Sequence, residues 1–447
     1  FPGFETNLDG RNFATDSSGA QTDKTSGRRA IATLNYRMGD YTLTSVSSYS
    51  AFKQRREFDA EFLPGPYLTG NPNDLGNEQF TQEIRLSSPT TGPLDFVVGA
   101  FYLHESFDYD RVLTSRIVPL TGSFNEYFKL KTNTFSAFGQ ANYEVTTGLT
   151  ASLGLRVTNE QREAYFERNT LTPGVLTALV FPAIAPAERS KSATNVDGSV
   201  GIQYEISPGK LIYGSFSRGT KGGGFLNSPT SAATSSYGRE RADTFEVGTK
   251  LSFGRHFLNI SLFNTDLSDF QQALFNGTAF IITGIDARSR GVEVDGALQL
   301  SDGFRLASSV TYNHARDAND ELLVNAPKWS GNARAIYDSA VTEDLRLSME
   351  AGVEFRSRVL YTSEAQSAGY GTNPTTALSP TGNPYGRINA RVAVSDNDDR
   401  WEVALIGRNL ANKKIVAYGL PAPFVTGAAV GALDLPRTIA VQLTGRF

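Results

Sequence analysis

The last twelve residues, PRTIAVQLTGRF, alternate strictly between apolar and polar side chains. Ile439, Val441, Leu443 and Phe447 share one face of an extended chain, and Thr438, Gln442, Thr444 and Arg446 share the other. A strand built this way has one apolar face and one wet face. It suits either the half-buried edge of a soluble sandwich or the closing strand of a barrel with lipid outside and a polar lumen inside. The same alternation recurs upstream. Leu345, Leu347, Met349, Ala351, Val353 and Phe355 interleave with Arg346, Ser348, Glu350, Gly352, Glu354 and Arg356. Leu149, Ala151, Leu153, Leu155 and Val157 interleave with Thr150, Ser152, Gly154, Arg156 and Thr158. Val292, Val294, Leu298 and Leu300 oppose Glu293, Asp295 and Gln299, and Ile388, Ala390, Val392 and Val394 oppose Arg387, Asn389 and Arg391. A helix would repeat its apolar positions near every 3.6 residues, and none of these segments does. The chain reads as all-β.

The connections between such segments alternate in kind. Short turns rich in Gly, Pro, Asn and Asp fall at Met38-Gly39-Asp40, Thr90 to Pro93, Thr146 to Gly148 and Ser207-Pro208-Gly209. Four more fall at Phe253-Gly254-Arg255, Ser301-Asp302-Gly303, Asp338 to Glu343 and Ser395 to Asp399. Long polar connections separate them, around 54–76, 111–125, 165–190, 219–238, 266–283, 314–326, 361–382 and 414–436. Strict alternation puts all short turns at one end of the strands and all long loops at the other. Bacterial outer-membrane barrels are built in this way, whereas a sandwich scatters its loop lengths. The spacing predicts about 17 antiparallel strands in a transmembrane β-barrel. The first recognisable one, Arg28 to Arg37, runs inward, so an odd number of further strands is expected upstream. Residues 1–26 are expected as the tail of an extracellular loop, and 27–447 as the barrel portion with its long extracellular loops.

Composition narrows the chemistry. The chain has 447 residues, a net charge of −4 and no cysteine, which excludes disulfide frameworks, thiolate metal sites and cysteine nucleophiles. Nothing in the charge points to nucleic acid. No window is apolar enough for a transmembrane helix, and the mean hydropathy of −0.27 is what alternate lipid-facing residues produce. The greasiest run, VLTALVFPAIAPA from Val175, is broken by Pro182 and Pro186 and reads as a loop. It is suited to capping the lumen, meeting a surface lipoprotein, or packing on neighbouring loops. The opening FPGFETNLDG has neither an initiator Met nor a signal segment, which leads to the expectation of a fragment.

Several segments resemble the TonB-dependent outer-membrane receptors, particularly the group common in sphingomonad-like and related proteobacteria. They include FTQEIRLSSP from Phe80, PLDFVVGAFYLHE from Pro93, TNTFSAFGQANYEVT from Thr132 and LTASLGLRVTNEQRE from Leu149. LIYGSFSRGTKGGGF from Leu211 is the most specific, followed in order by ADTFEVGTK, LNISLFNTDLSDFQ, ARSRGVEVDG, APKWSGN and GRNLANKK. The resemblance implies a barrel of the 22-stranded type, plugged by an N-terminal domain. About 17 strands leave five, an odd number, outside this chain together with the plug and the coupling motif. It further implies uptake of a scarce ligand such as a ferric siderophore, driven by an inner-membrane TonB complex acting through that absent N-terminal part. Surface lipoprotein and outer-membrane lipid are the other implied partners. The terminal Phe447 is implied to be an assembly signal read by the insertion machinery.

Candidate residues follow from the faces and loops. The lumen charges Arg346, Glu350, Glu354, Arg356, Arg387 and Arg391, with Arg156, Glu293, Asp295, Arg305, Arg334, Glu402 and Arg408, read as a mutually paired solvated wall or as a steering path for an anionic ligand. The loop aromatics Phe270, Phe275, Phe280, Tyr361, Tyr370, Tyr385, Tyr418 and Phe424 suit stacking on a ligand ring as well as interfacial girdles. His104, His256 and His314 lie on separate strands without metal-ligand spacing. No GxSxG motif or ordered triad is present, and Gly222-Gly223-Gly224, which no helix follows, reads as a flexible loop base. The reading is therefore a transport receptor, with no enzyme activity and no cofactor. A passive channel or surface-binding barrel without energy coupling is the alternative, and an enzyme ranks third.

Overall fold

The computed structural model describes residues 22–59, 68–231, 233–275, 280–363, 381–398, 400–421 and 429–446. Its main strands are Thr22–Met38 (β1), Tyr41–Asp59 (β2), Leu68–Ser87 (β3), Leu94–Arg116 (β4), Thr121–Thr146 (β5), Leu149–Thr172 (β6), Ile184–Ser207 (β7) and Lys210–Lys221 (β8). They continue with Glu240–Phe253 (β9), His256–Phe275 (β10), Phe280–Gln299 (β11), Phe304–Asp317 (β12) and Trp329–Ala340 (β13). Leu345–Arg356 (β14), Tyr385–Asp396 (β15), Trp401–Arg408 (β16) and Thr438–Gly445 (β17) complete the set. All belong to one 17-stranded sheet, in which each strand pairs antiparallel with the next in the chain. The meander has β1 and β17 at its edges, which are not paired with each other among the described residues. This is the barrel-type sheet expected from the alternation. No described helix is long and apolar enough to cross a membrane.

Register divides the side chains into two families. Directly opposed residues on antiparallel strands lie on the same face, so Met349 shares a face with Tyr337 and Val392, and Glu350 shares the other with Ile336 and Arg391. The first face is outward and apolar: Ile439, Val441 and Leu443 are 67%, 68% and 75% exposed. The second is concave and crowded, with Ser136 and Ala404 both at 0%. An apolar surface left open to this extent needs lipid against it. Aromatics mark the two borders of the apolar band. On β2, β5, β9, β12 and β13 the pairs Tyr41/Tyr49, Tyr143/Phe135, Phe253/Phe245, Phe304/Tyr312 and Tyr337/Trp329 each stand eight positions apart on the outward face. Eight residues span about 26 Å of strand, or about 20 Å of membrane at the usual barrel tilt.

The short turns fall where the sequence places them. Gly39, Gly148, Gly209 and Gly254 adopt positive φ of 60°, 80°, 76° and 61°, the left-handed backbone that tight hairpins require. At the opposite end several expected loops are strands instead. Residues 111–116 and 121–125 extend β4 and β5, leaving only 117–120 as the connection, and 266–275 and 280–283 likewise continue β10 and β11. Strand β5 runs 26 residues, where about 10 suffice to span a bilayer. The surplus forms tall hairpins, because backbone groups beyond the membrane are satisfied by continuing the ladder. β1 likewise begins at Thr22, so residues 22–26 are strand rather than loop, and residues 1–21 lie outside the described residues.

The Val175 run also differs from the expected loop. Leu176–Val180 forms a single π-helical turn, and strand resumes at Ile184. Leu176 and Phe181 bury against Leu68, Leu113, Ile117 and Phe124 at the tips of neighbouring hairpins. Packing on neighbours accounts for Leu176, Phe181 and Ile184, while Val175 and Leu179 are exposed.

The face assignment predicts unequal costs for added charge. Met349→Arg, on the outward face near mid-band, should destabilise the full-length protein by about 2–4 kcal/mol, while Ile336→Arg on the lumen face beside Glu350 should cost much less. Gly352 is a poorer lumen site for this purpose, since a Cβ there would press on Arg334 Cγ at 3.0 Å. Denaturant titration of both variants checks the difference, and equal losses would overturn the assignment.

Candidate functional site

The concave wall of β13 to β16 carries a ladder of opposite charges set by register. Glu354 stands opposite Arg387, and Glu350 opposite Arg391. Arg387 reaches Glu354 at 2.5 Å and Asp434 at 2.5 Å, Arg391 reaches Glu402 at 2.5 Å, and Arg334 lies 3.6 Å from Glu350. Asp434 belongs to the connection before β17, and Asn409 folds that connection back onto the wall. Buried at a φ of 48°, Asn409 donates through Nδ2 to the Lys413 and Leu435 carbonyls at 2.9 and 3.1 Å. Between connection and wall lies a cavity of about 640 Å³, lined by Arg334, Glu350, Glu354, Arg387, Arg391 and Arg408 among others. Arg408 makes no ion pair among the described residues. It leaves the cavity one cation available to a guest.

Above this cavity, at the outer end of β14, aromatics gather around a second arginine. The Arg356 guanidinium lies 5.1 Å from the Tyr385 ring centre and 5.9 Å from that of Tyr361. It donates to the Tyr361 hydroxyl at 3.0 Å, which in turn donates to the Val416 carbonyl at 2.6 Å. Tyr418 lies beside Tyr361, with ring centres 6.2 Å apart. A short hairpin pairing Val359–Leu360 with Thr381–Gly382, buried at its core, holds Tyr361 in place. A guanidinium flanked by phenol rings suits planar, anionic, oxygen-rich guests.

A third cluster stands on the inner side of the β4–β6 hairpins. Arg111, Glu126 and Arg168 form one transverse row across three strands. Glu126 binds Arg111 at 2.5 Å and Arg168 at 2.7 Å, and Arg168 is 1% exposed. Ser228 donates to Glu126 at 3.0 Å, and the Pro229 carbonyl accepts from Arg168 at 2.9 Å, which fastens the 222–239 connection to the wall. Phe124 and Phe181 flank the Arg168 guanidinium, each 5.2 Å away. Burial lowers the Arg168 pKa, with Glu126 offsetting part of the effect. Burial acts on Arg111 in the same sense, but contact with Glu126 outweighs it and raises that pKa. Nearby, Phe128, Phe166 and Phe225 stack in a buried file. The three glycines before Phe225 serve close approach rather than flexibility: a Cβ on Gly223 would lie 2.6 Å from the Tyr237 carbonyl oxygen.

The family described as TonB dependent receptor-like, beta-barrel, matches residues 2–410. The chain belongs to the TonB-dependent receptor β-barrels. It is similar to the ferric yersiniabactin uptake receptor FyuA from Yersinia pestis, with a TM-score of 0.76 at 14% identity over 94% of this chain and 61% of that one. It is similar also to the siderophore receptor PiuA from Acinetobacter baumannii, with a TM-score of 0.70 at 16% identity over 94% and 64%. A metal-pseudopaline receptor, CntO of Pseudomonas aeruginosa, is 25% identical over 147 residues, or 31% of this chain and 20% of that protein. The chain thus spans under two thirds of each of these three receptors.

On this receptor barrel the expected site residues separate. Glu350, Glu354, Arg387 and Arg391 meet at the cavity, and Arg356, Tyr361, Tyr385 and Tyr418 meet above it. Arg346 does not join them; it pairs with Asp338 beside the short turns. Phe270 packs against the cluster of Ala287, Ala315 and Leu323 at a hairpin base, while Phe275 and Phe280 pair with each other, ring centres 5.0 Å apart. Tyr370, Phe424 and Phe447 lie outside the described residues. His104, His256 and His314 sit on β4, β10 and β12. The Arg111–Glu126–Arg168 row is absent from the sequence reading, which assigned Arg111 and Arg168 to loops. Its signal was present, since Phe124, Glu126, Phe128 and Leu130 keep a strand alternation.

Removing Glu126 strands two cations in a dry site. Glu126→Ala should destabilise the hairpin tips by about 3–5 kcal/mol and expose the 222–239 connection to protease. Asp74→Ala, which breaks the exposed Arg55–Asp74 pair, should cost under about 1 kcal/mol. Comparable proteolysis rates for the two variants would contradict the role given to the row.

Proposed function

We propose that the chain is the barrel portion of an outer-membrane receptor that takes up a small, scarce, oxygen-rich anionic ligand, with ferric siderophores the leading class. The observation that carries this reading is the vertical succession of Arg356 with its tyrosines above a cavity holding the unpaired Arg408. A ligand captured at the rim meets a second cation on its way inward. The relatives support the chemistry, since FyuA is a ferric yersiniabactin receptor and CntO a metal-pseudopaline receptor. The aromatic borders and open apolar band support an outer-membrane location. Mixed charge along the wall favours passage over tight retention, because Arg334, Arg387 and Arg391 beside the unpaired Arg408 are each already matched by a carboxylate. Nothing in this arrangement resembles a nucleophile and its base, and no catalytic step is assigned.

The unpaired edges of β1 and β17 support further strands between them, about five in a 22-stranded barrel. A plug domain and an inner-membrane TonB complex would supply closure and energy. A surface lipoprotein is a further partner in this reading, for which the exposed Leu179 at the hairpin tips offers an apolar contact.

Equilibrium binding of a panel of ferric siderophores to the full-length receptor tests the site. Arg356→Ala should weaken the bound member by about tenfold to a hundredfold, the value of a charge-assisted hydrogen bond. Arg346→Ala, far from the cluster, should leave affinity unchanged; equal losses, or none for Arg356, would refute the assignment. Phe447 tests assembly separately. Its deletion should reduce surface display of the full-length receptor while leaving the affinity of the inserted fraction intact, and Phe447→Tyr should restore display. Normal display of the deletion would remove that role.

A further inference from the structure

The outward face of β1 to β4 changes character between β2 and β3. Beyond the apolar band, one transverse row runs Lys24, Arg55, Asp74, Asp110, with one residue on each strand. Two cations are thus followed by two carboxylates, and Arg55 meets Asp74 at 3.7 Å where the sign turns over. The ends of the row are left over: no ion pair reaches Lys24 or Asp110 among the described residues. Burial, and then repulsion from Asp74 and Asp108, raises the Asp110 pKa.

Within the apolar band the same four strands carry a second uneven row, Ala32, Ser47, Gln82 and Tyr102. Small side chains lie on β1 and β2, where Ala30 and Ser45 adjoin the row. Bulky ones lie on β3 and β4, where Phe80, Ile84 and Tyr102 are exposed. Gln82 places an amide on the lipid side, where hydrocarbon offers it no partner. Its own wall satisfies most of it. Ser47 donates to Gln82 Oε1 at 2.5 Å, and Gln82 Nε2 donates to Ser45 Oγ at 3.0 Å and to the Glu83 carbonyl at 3.1 Å. One Oε1 lone pair and the Ser45 hydroxyl hydrogen remain, an acceptor on β3 and a donor on β2.

Charge, bulk and hydrogen-bonding capacity therefore all reverse across the β2–β3 line. A wall of this kind complements itself. Half a turn about the membrane normal keeps every height and brings the cationic, small-residue half against the acidic, bulky half. A lipid, with one head and one charge, matches only one side of the line. We propose that β1 to β4 form a two-fold interface with a second copy of this chain in the membrane, the axis running between β2 and β3. Lys24 would face Asp110 of the partner subunit, and Ser45 would donate to the partner's Gln82. Tyr102 would settle over the small residues of the other wall. Each contact occurs twice, as in any isologous interface. The interface rests on the outer-membrane placement above and not on transport of any ligand.

Cross-linking in isolated outer membranes carrying the full-length receptor tests the interface. These 447 residues contain no cysteine, so Ala51→Cys, on β2 opposite Glu78, supplies a defined thiol for a bifunctional maleimide. It should give a product of twice the receptor mass, whereas the parent and Ser192→Cys, on the outward face of β7, should not. Added to Ala51→Cys, either Lys24→Glu or Asp110→Lys should cut that product about fivefold or more, because each reversed charge occurs twice in the interface. Within one copy the two residues stand three strand spacings apart, about 14 Å, so they do not pair there. Combining Lys24→Glu with Asp110→Lys should therefore restore the product through contact between copies. Heat-resistant migration on gels reports correct insertion independently, and Lys24→Gln and Asp110→Asn serve if the reversed charges insert poorly. No product of doubled mass, an equal yield from Ser192→Cys, unchanged yields in the single variants, or no recovery in the combination would overturn the interface.

Discussion

Every peptide group that crosses a membrane must find its hydrogen-bond partner within the protein, and the rest of this structure depends on that constraint. The chain meets it with a continuous antiparallel meander in which each strand pairs with its neighbour in sequence. Nearest-neighbour pairing makes register the organising quantity. Once one hairpin turn is fixed, each side chain is committed to lipid or lumen, and each transverse row of residues is determined. The ion pairs described above are consequences of those rows. Arg111, Glu126 and Arg168 meet because the ladder aligns them, although 42 residues separate the last two.

The same ladder performs different work at different heights. Within the apolar band it turns Leu, Val and Ile outward and leaves the lumen to charge. Above the band the ladder persists but its inner face becomes apolar, so that Phe124, Phe128 and Phe166 form a small core outside the membrane. A buried ion-pair row sits within that core, where either cation alone would be costly. Rim and wall are therefore mechanically distinct, since the rim is held by packing and the wall by hydrogen bonds and lipid.

Much of this was legible in the sequence. Alternation at Leu345 to Phe355 and Ile439 to Leu443 revealed the faces, and the Gly-centred turns revealed which end is short. Lumen residues such as Glu354 and Arg387 followed from parity alone. Pairing did not, because parity says which face a residue takes and not which residue stands beside it. That is why Arg346, formally a lumen charge, belongs to the turn at Asp338 instead of the cavity. The tall hairpins were missed for a related reason. Residues 111–125 read as a polar connection by composition, although Phe124, Phe128 and Leu130 alternate with Asn125, Tyr127 and Lys129. The three glycines before Phe225 show another limit, since composition suggests looseness and only the neighbouring Tyr237 backbone explains their need.

The eight-residue interval between aromatic borders also sets a length scale for the surrounding bilayer. A hydrophobic height of about 20 Å is well short of the roughly 30 Å of an average hydrocarbon core, and bacterial outer membranes are thinner than average. Placed in a thick membrane, this wall would force the lipids around it to thin, at a fraction of a kcal/mol for each ångström of mismatch. Summed around a circumference of seventeen or more strands, that penalty acts as an address: the barrel is at rest only in a thin membrane.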